Sequence, residues 1–362
     1  MFYFKLLNQK CSIFLLLFPL FIFSQENLII QDSTSNNSNF IQDFSNQLNI
    51  KFDVTNDRVS YFIPLEESQA EVRSNLNISY GLVFSYKFLS VRLGFRPKLS
   101  EAELDNKGKT DRFRLRIKFL LDNWIHRLEY NYTRGFYIEN TNEFENEITN
   151  SNFKVQFPYL RTNILSGSSN YKFNNNYSMK AIESNTEVQL KSTGTFLAGF
   201  NYAFYFVNGT EKIKLENQEL VQRASYNEFS GFSPVFFIGY RYTFVFHKYW
   251  YTNVYVDPGV GIDFYQNNYY NQTGSYDEIK TNVFFQVKSG ISTGYNGRKI
   301  YFGGAYKYNF NSDKVENNTL GLQPIKNSFH LFFGYRFKAP KQVTKPIEYI
   351  EKKVPVLKQN NN

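Results

Sequence analysis

The chain has 362 residues and a formal net charge of +9, and it combines 39 Phe and 28 Tyr with 10 Pro and 2 Met. Its mean hydropathy is −0.45. Because the single cysteine, Cys11, lies in the N-terminal apolar segment, the rest of the chain has no disulfide, thiolate metal site or cysteine nucleophile. An aromatic chain that is polar on average is typical of alternating transmembrane strands, with an aromatic-rich soluble β-sandwich as the alternative.

Residues 1–24 are predicted to form a secretory signal peptide. Lys5 and Lys10 make a basic start, residues 13–23 are apolar, and Ser24 offers a cleavage point. The residues before Cys11 do not form a lipobox, so we expect no lipid anchor. Removal of the two lysines leaves a charge of +7, and no later apolar run approaches the roughly 20 residues of a spanning helix. We predict Sec-dependent export of a chain that begins with a polar, disordered lead-in over residues 25–47.

The segment over residues 48–63 contains a first short alternation. Leu48, Ile50, Phe52 and Val54 are apolar and every second residue between them is polar. This pattern predicts either a first strand or a plug segment.

The clearest alternation covers residues 78–95. Apolar side chains occupy the even positions up to Phe88, and the parity changes at Leu89, where the odd positions become apolar. A tight turn at Phe88 and Leu89 places both apolar sets on one face of a hairpin. The other face carries Arg92, which suits a barrel wall that is apolar towards lipid and polar towards the lumen.

Ten further strands are predicted in chain order, at residues 113–119, 128–132, 160–173, 177–188, 195–207, 234–246, 250–262, 283–294, 300–310 and 327–337. Long polar loops are predicted at 97–110, 138–152 and 266–280. If the short turns lie in the periplasm, the strands at 195–207 and 234–246 both run towards the periplasm, and no predicted strand between them runs back to the extracellular side. We expect that 208–230 hides a strand or threads the lumen.

These elements predict an all-β fold, a closed antiparallel transmembrane β-barrel of twelve to fourteen strands over residues 48–337, in the outer membrane. After Phe337 the composition changes to a Lys- and Pro-rich tail over residues 338–362. Such a composition favours an extended, disordered end, which parity places in the periplasm. The tail is either a solvated end or a contact for the cell wall or a periplasmic partner.

Four short motifs carry a resemblance to a known family. They are RGFY at 134–137, STGTFLAG at 192–199, GYRYTF at 239–244 and GYN at 294–296. In their order and spacing they resemble an uncharacterised Gram-negative outer-membrane β-barrel family, a domain of unknown function, over residues 48–337. The resemblance implies a membrane barrel and offers no activity or site. The lysine-rich tail departs from it.

The predicted lumen face is strongly basic. Parity points the following side chains inward: Arg92, Arg96, Arg112, Arg114, Arg116, Lys118, Arg127, Arg241, Lys288, Lys307 and Arg336. The acids on that face are Glu129, Asp257 and Asp263. An excess of cations in a confined space attracts anions, so we predict a porin-like or transporter-like lumen for anionic solutes. The alternative is a ladder neutralised by acidic loop residues such as Glu139, Glu143, Glu145 and Glu147.

An enzyme is the second possible class of protein, but we expect no enzymatic activity. Ser328 and His330 share the inward face but are two residues apart on a strand, about 7 Å. Residues 290–294 match the G-x-S-x-G pattern, which needs a strand, a turn and a helix, whereas here a strand and a hairpin are predicted. We also expect no cofactor and no nucleic-acid partner.

A structural or scaffold barrel with a docking tail is the third class. The partners that we predict are outer-membrane lipid and lipopolysaccharide, and the barrel-assembly machinery for insertion.

Overall fold

The computed structural model describes residues 40–56, 60–64, 69–143, 152–209, 212–214, 220–222, 226–271, 274–312, 321–323 and 327–357. The predicted signal peptide and most of the predicted lead-in lie outside the described residues. In chain order the strands are β1 (Ile41–Asp43), β2 (Gln47–Asn56), β3 (Ser60–Pro64), β4 (Gln69–Arg73), β5 (Ser79–Tyr86), β6 (Leu89–Phe95), β7 (Asp111–Leu120), β8 (Trp124–Ile138), β9 (Gln156–Lys172), β10 (Glu187–Gln189), β11 (Thr193–Asn208), β12 (Lys212–Lys214), β13 (Leu220–Gln222), β14 (Tyr226–Phe246), β15 (Trp250–Asn271), β16 (Gly274–Asn296), β17 (Ile300–Asn311), β18 (Gly321–Gln323) and β19 (Asn327–Lys338). The helices are α1 (Glu101–Lys107), α2 (Met179–Glu183) and α3 (Lys341–Lys353), with 3-10 turns at Thr141–Glu143 and Pro355–Leu357.

The described strands form a closed antiparallel barrel of twelve strands, as the sequence predicts. Its circumference runs β2, β5, β6, β7, β8, β9, β11, β14, β15, β16, β17 and β19, and pairing of β19 with β2 closes it. The segment at residues 48–56 is therefore the first barrel strand. Closure satisfies the backbone hydrogen bonds of every strand, which a membrane-spanning sheet requires.

Short strands extend some of the barrel strands beyond the closed part. β3 and β4 form a hairpin, β12 pairs with β13, and β18 pairs with β3. β15 and β16 pair from Trp250 to Asn271, so much of the predicted loop at 266–280 is a tall hairpin. The predicted loop at 97–110 contains α1, which begins with a capping box between Ser100 and Glu103.

The outer face of the barrel is apolar. Phe236 and Ile238 on β14 are each 67% exposed, whereas Phe237 between them is buried on the inside. The same alternation separates exposed Leu93 from buried Arg92 on β6. A wall that is apolar outside and polar inside is the pattern of an outer-membrane barrel.

The short turns at residues 87–88, 121–123, 247–249 and 297–299 all lie at one end of the barrel. Bacterial barrels keep their short turns in the periplasm. We therefore call this the periplasmic end and the opposite end, with the tall hairpins, the extracellular end.

Residues 177–188 correct one predicted strand. This segment is not part of the barrel wall: it folds into the lumen as α2 and β10, and β9 pairs directly with β11. We call residues 173–192 the plug. β11 therefore runs from the periplasmic end to the extracellular end. No additional strand is needed within 208–230, where the sequence analysis expected a hidden strand or a segment that threads the lumen.

The described end of the predicted lead-in is ordered. β1, which lies within the segment expected to be disordered, pairs with β10 of the plug. The Phe44 amide also donates to the Thr186 carbonyl oxygen at 2.9 Å. Residues 40–47 therefore add a second layer to the plug.

The C-terminal tail also differs from the prediction, because residues 341–353 form helix α3. Ile347 is buried against Tyr86 and Phe88 at the periplasmic turn between β5 and β6. Lys87 Nζ and Glu351 Oε2 form an ion pair of 2.5 Å beside this contact. An apolar anchor and an ion pair thus hold a helix where lysines and prolines had suggested an extended chain. No helix in the described residues is long and apolar enough to cross a membrane.

Candidate functional site

A polar cavity of about 380 Å³ occupies the lumen above the plug. All twelve barrel strands contribute to its lining, and the plug contributes Ile182 and Glu183. Nine basic side chains line it: Lys51, Arg92, Arg114, Arg116, Lys118, Arg127, Arg241, Lys288 and Lys307. Towards the extracellular end an apolar cluster that includes Phe157, Leu160 and Tyr205 packs inside the barrel. The cavity lies between this cluster and the plug.

Arg92 and Asp53 form a buried ion pair in the wall. Arg92 Nη2 lies 2.6 Å from Asp53 Oδ1, and Nε also donates to this carboxylate. The other Asp53 oxygen lies 3.6 Å from His330 Nε2. Because Asp53 compensates Arg92 in full, this arginine adds little to the attraction of a free anion.

Glu129 compensates two further arginines. Arg114 Nε donates to Glu129 Oε1 at 2.6 Å, and Arg116 Nε donates to Oε2. One carboxylate therefore serves two guanidinium groups on the neighbouring strand, which leaves a positive charge at this part of the wall.

Glu183 connects the plug to the basic wall. Its carboxylate lies 2.8 Å from Lys118 Nζ, 2.7 Å from Arg127 Nη2 and 3.6 Å from Arg241 Nη1. Burial alone raises the pKa of Glu183, but the charges of Lys118, Arg127 and further lumen cations outweigh burial and hold this pKa well below its usual value. Glu183 is therefore ionised at neutral pH.

Other contacts hold the plug around the periplasmic mouth. Asn253 Nδ2 on β15 donates to the Tyr177 hydroxyl at 2.8 Å, and Lys180 Nζ lies 3.1 Å from Asp122 Oδ1. Lys51 Nζ on β2 donates to Asn185 Oδ1 at 3.1 Å. Because these partners lie on different sides of the barrel, the plug spans the lumen.

Lys288 and Lys307 differ from the other cavity cations, because their side chains form neither an ion pair nor a hydrogen bond in the described part of the chain. Lys51 also has no ion pair there, but its Nζ donates to Asn185 Oδ1 of the plug. Asp257 is opposite Lys288 in the β15–β16 register, but its carboxylate is engaged by Arg241 at 2.9 Å. Lys288 pairs with Asn309 and Lys307 is two residues away on the same strand, so the two lysines are diagonal neighbours. Their ammonium groups are available to one anion.

Three predicted ladder residues lie outside the cavity lining. Arg96 follows the end of β6 and lies 3.2 Å from Asp111 at the extracellular rim. Arg112 donates to Asn131 at 3.1 Å, above the cavity. Arg336 lies at the floor, where it donates to the backbone oxygens of Gly297 and Asn185 and clamps the plug.

The sequence analysis missed Lys51, Asp53 and Glu183. The first two could have been found, since Leu48, Ile50 and Phe52 alternate with them and fix their inward direction. Glu183 could not, because its segment was taken for a wall strand. Of the four loop acids suggested as neutralising groups, Glu139 pairs with Arg73 at 3.2 Å. The side chain of Glu143 and the whole of Glu145 and Glu147 lie outside the described part of the chain.

The groups considered for catalysis lie on strands. Residues 290–294 lie within β16, close to its end at Asn296, and the hairpin to β17 follows, so Ser292 is not at a strand-to-helix turn. Ser328 and His330 both line the cavity, and no hydrogen bond joins them among the described residues. Within the same residues, no cluster of three His, Cys, Asp or Glu side chains is placed to hold a metal ion.

A closed barrel with an apolar exterior and a polar lumen defines an outer-membrane β-barrel protein. The chain belongs to the family described as "Domain of unknown function (DUF4421)", which matches residues 32–337. The resemblance drawn from the four sequence motifs, to a barrel family of unknown function, is confirmed.

Solved outer-membrane barrels are similar to this chain at low identity. The outer membrane protease OmpT from Escherichia coli is 8% identical, with 80% of this chain and 97% of that chain covered and a TM-score of 0.36. The translocator domain of the autotransporter NalP from Neisseria meningitidis is 9% identical, with 81% and 89% covered and a TM-score of 0.36. The attachment invasion locus protein Ail of Yersinia pestis is 14% identical, with 60% and 100% covered and a TM-score of 0.23. None of the curated proteins matches the chain. At such TM-scores these likenesses carry no information on what the lumen does.

Proposed function

We propose that this barrel takes up anionic solutes in its basic lumen, as a pore or transporter-like protein without catalytic activity. The observation that carries the proposal is the pair of diagonal neighbours Lys288 and Lys307, which line the cavity and form no ion pair with a described carboxylate. Glu183 and Asp257 attract them only from a greater distance. Export by the Sec route and insertion by the barrel-assembly machinery belong to the same proposal.

The charge balance of the cavity supports this role. Nine basic side chains line it, whereas the acids that face them are Asp53, Glu183 and Asp257 in the lining and Glu129 beside Arg114 and Arg116. Each of these four acids is already engaged by a cation. Electrostatic interactions are stronger in a confined, poorly solvated space than in bulk water. An anion beside the two lysines gains this attraction without displacing a carboxylate.

The plug determines how such an anion would cross. Because the plug spans the periplasmic side of the lumen, a bound solute reaches the periplasm only when the plug moves. With the plug in place, the barrel therefore binds an anion without conducting it. It conducts anions when the plug is displaced.

The test is anion binding by the full-length mature protein, refolded in detergent micelles and titrated calorimetrically with inorganic pyrophosphate. We expect binding by the wild type and at least about tenfold weaker binding for Lys288→Gln/Lys307→Gln, because charge-assisted hydrogen bonds are lost. The matched control is Lys299→Gln/Lys352→Gln, which removes two exposed periplasmic charges and should bind as the wild type does. No binding by the wild type, or equal binding by both double variants, would refute the proposal.

A scaffold role is the second candidate, and the docked helix α3 favours it. Ile347 and Glu351 hold one side of the helix on the barrel, which leaves Tyr349, Lys352 and Lys353 exposed. Such a surface suits an acidic partner such as the peptide stems of the cell wall.

Removal of residues 339–362 separates the two candidates. If α3 is a cell-wall anchor, the truncated barrel stops co-sedimenting with purified peptidoglycan but keeps its pyrophosphate affinity. Unchanged sedimentation counts against the scaffold role.

A further inference from the structure

The outer wall carries a group of basic side chains at the extracellular rim that no role discussed above uses. Arg134, which opens the RGFY motif, is directly opposite Arg161 in the β8–β9 register. The Arg134 guanidinium lies 5.2 Å and Lys212 Nζ 5.3 Å from the centre of the Tyr159 ring. Arg161 Nε donates to Asn208 Oδ1 at 2.7 Å. We call these five residues the rim patch.

The rim patch lies on the lipid-facing side of the wall. Tyr130, which shares the parity of Arg134 on β8, is exposed, and its hydroxyl donates at 2.9 Å to Asn163, which shares the parity of Arg161 on β9. Beyond Arg134 a register shift at Gly135 interrupts β8, and Phe136 is buried on the inside. Arg134 is therefore the last outward side chain of its row.

The height of the patch matches the outer boundary of the membrane. Trp124 begins the same outward row at the periplasmic end, where it stacks on His126 and packs against Tyr171. Arg134 is ten residues further along β8. At about 3.3 Å per residue and a tilt of roughly 40°, the two are about 25 Å apart along the membrane normal, which is the usual height of the apolar band. An aromatic girdle at Trp124 thus places Arg134 at the outer headgroup level.

The charges of the rim patch are not compensated within the described chain. Arg134, Arg161 and Lys212 form no ion pair with a described carboxylate. The acid opposite Arg134 in the β7–β8 register is Asp111, which is engaged by Arg96 at 3.2 Å and Lys109 at 3.1 Å. Glu228 lies on the same face, beyond Asn208, and forms no ion pair with these cations either. Since like charges opposite each other destabilise a strand pair, this position favours an external anion.

We propose that the rim patch binds the phosphate groups of a phosphorylated glycolipid headgroup in the outer leaflet. Guanidinium groups recognise phosphate through paired hydrogen bonds, and Arg134 and Arg161 are adjacent across one strand pair. The acyl chains of the lipid then lie along the apolar surface below, which includes the exposed Tyr130 and Phe206. This continuity of headgroup site and apolar wall favours a lipid over a free anion.

The experiment measures the protection of the full-length refolded barrel against thermal unfolding by purified diphosphoryl lipid A in mixed micelles. We expect lipid A to raise the Tm of the wild type and to bind Arg134→Gln/Arg161→Gln at least about tenfold more weakly. The control Lys248→Gln/Lys299→Gln, with the same loss of charge at exposed periplasmic turns, should respond as the wild type does. The heat-dependent shift of each variant on electrophoresis verifies its folding.

Two further measurements of Tm use only the wild-type protein, so they do not depend on whether a variant folds. Dephosphorylated lipid A should give a much smaller rise in Tm, and inorganic phosphate at the same phosphate concentration should give at most the small rise that comes from its binding in the lumen. Equal protection by dephosphorylated lipid A or by inorganic phosphate, or an unchanged response of Arg134→Gln/Arg161→Gln, overturns the proposal.

Discussion

Asp53 shows how single carboxylates set the charge of this lumen. Its side chain is 3% exposed and compensates Arg92, whose side chain is 5% exposed, while His330 lies on its other side. A buried arginine whose only carboxylate is removed keeps its desolvation cost and loses its attraction. The pair is therefore a structural element of the wall, whereas Lys288 and Lys307 remain available for a solute.

The substitution Asp53→Asn tests this difference. We expect it to lower the free energy of unfolding by about 3–5 kcal/mol, since it leaves Arg92 buried without a carboxylate. Urea unfolding of the refolded barrel, followed by tryptophan fluorescence, measures this change. The matched control is Asp111→Asn at the exposed rim, where a loss of less than about 1 kcal/mol is expected. A similar small loss for both variants would show that the Arg92–Asp53 pair does not stabilise the wall.

The plug is the element that distinguishes this barrel from an open pore, and its sequence concealed it. Tyr177, Met179 and Ala181 alternate with polar residues as in a strand, yet all three are buried at the plug. Tyr177 and Met179 pack on Leu120 and Phe237 of the inner wall. Ser178 and Lys180, which lie between them in the sequence, are buried as well, and Met179–Glu183 is helical, so the period of two does not mark one face of a strand here. Periodicity alone could not distinguish this plug segment from a wall strand.

Glu183→Gln should loosen the plug. The amide keeps the shape of the side chain but removes the charge that holds Lys118, Arg127 and Arg241. We expect a higher open probability in planar bilayers than for the wild type at neutral pH. Glu348→Gln, which removes an exposed acid on α3, is the control and should behave as the wild type does. Equal open probabilities for all three proteins would mean that Glu183 does not hold the plug.

The same variant has a defined pH dependence. The pKa of Glu183 lies well below its unfolded value of about 4.3, so its contribution to docking is complete above that value and is lost only as the pH falls towards the folded pKa. The open probability of the wild type should therefore be constant from neutral to mildly acidic pH and rise only in strong acid. For Glu183→Gln no such rise should occur.

At the scale of the whole molecule, alternation predicted the barrel because lipid and lumen impose opposite demands on successive residues. The change of parity at Leu89 placed Arg92 inside, and the structure agrees. The compensation of that charge was not predictable, since Asp53 reaches Arg92 only when β2, β5 and β6 lie side by side. Helix α3 was missed because it contains four lysines and a proline, Pro346, although Val343, Ile347 and Ile350 have helical spacing.

The ion selectivity of the lumen tests the central claim most directly. The reversal potential of the refolded wild type is measured in a planar bilayer under a potassium chloride gradient, with Lys288→Glu/Lys307→Glu as the comparison and Lys299→Glu/Lys352→Glu as the control. We predict that wild-type openings reverse near the chloride equilibrium potential, that the lumen variant shifts towards the potassium potential, and that the control does not shift. A cation preference of the wild type, or a reversal potential that the lumen variant leaves unchanged, would contradict the anion-selective lumen.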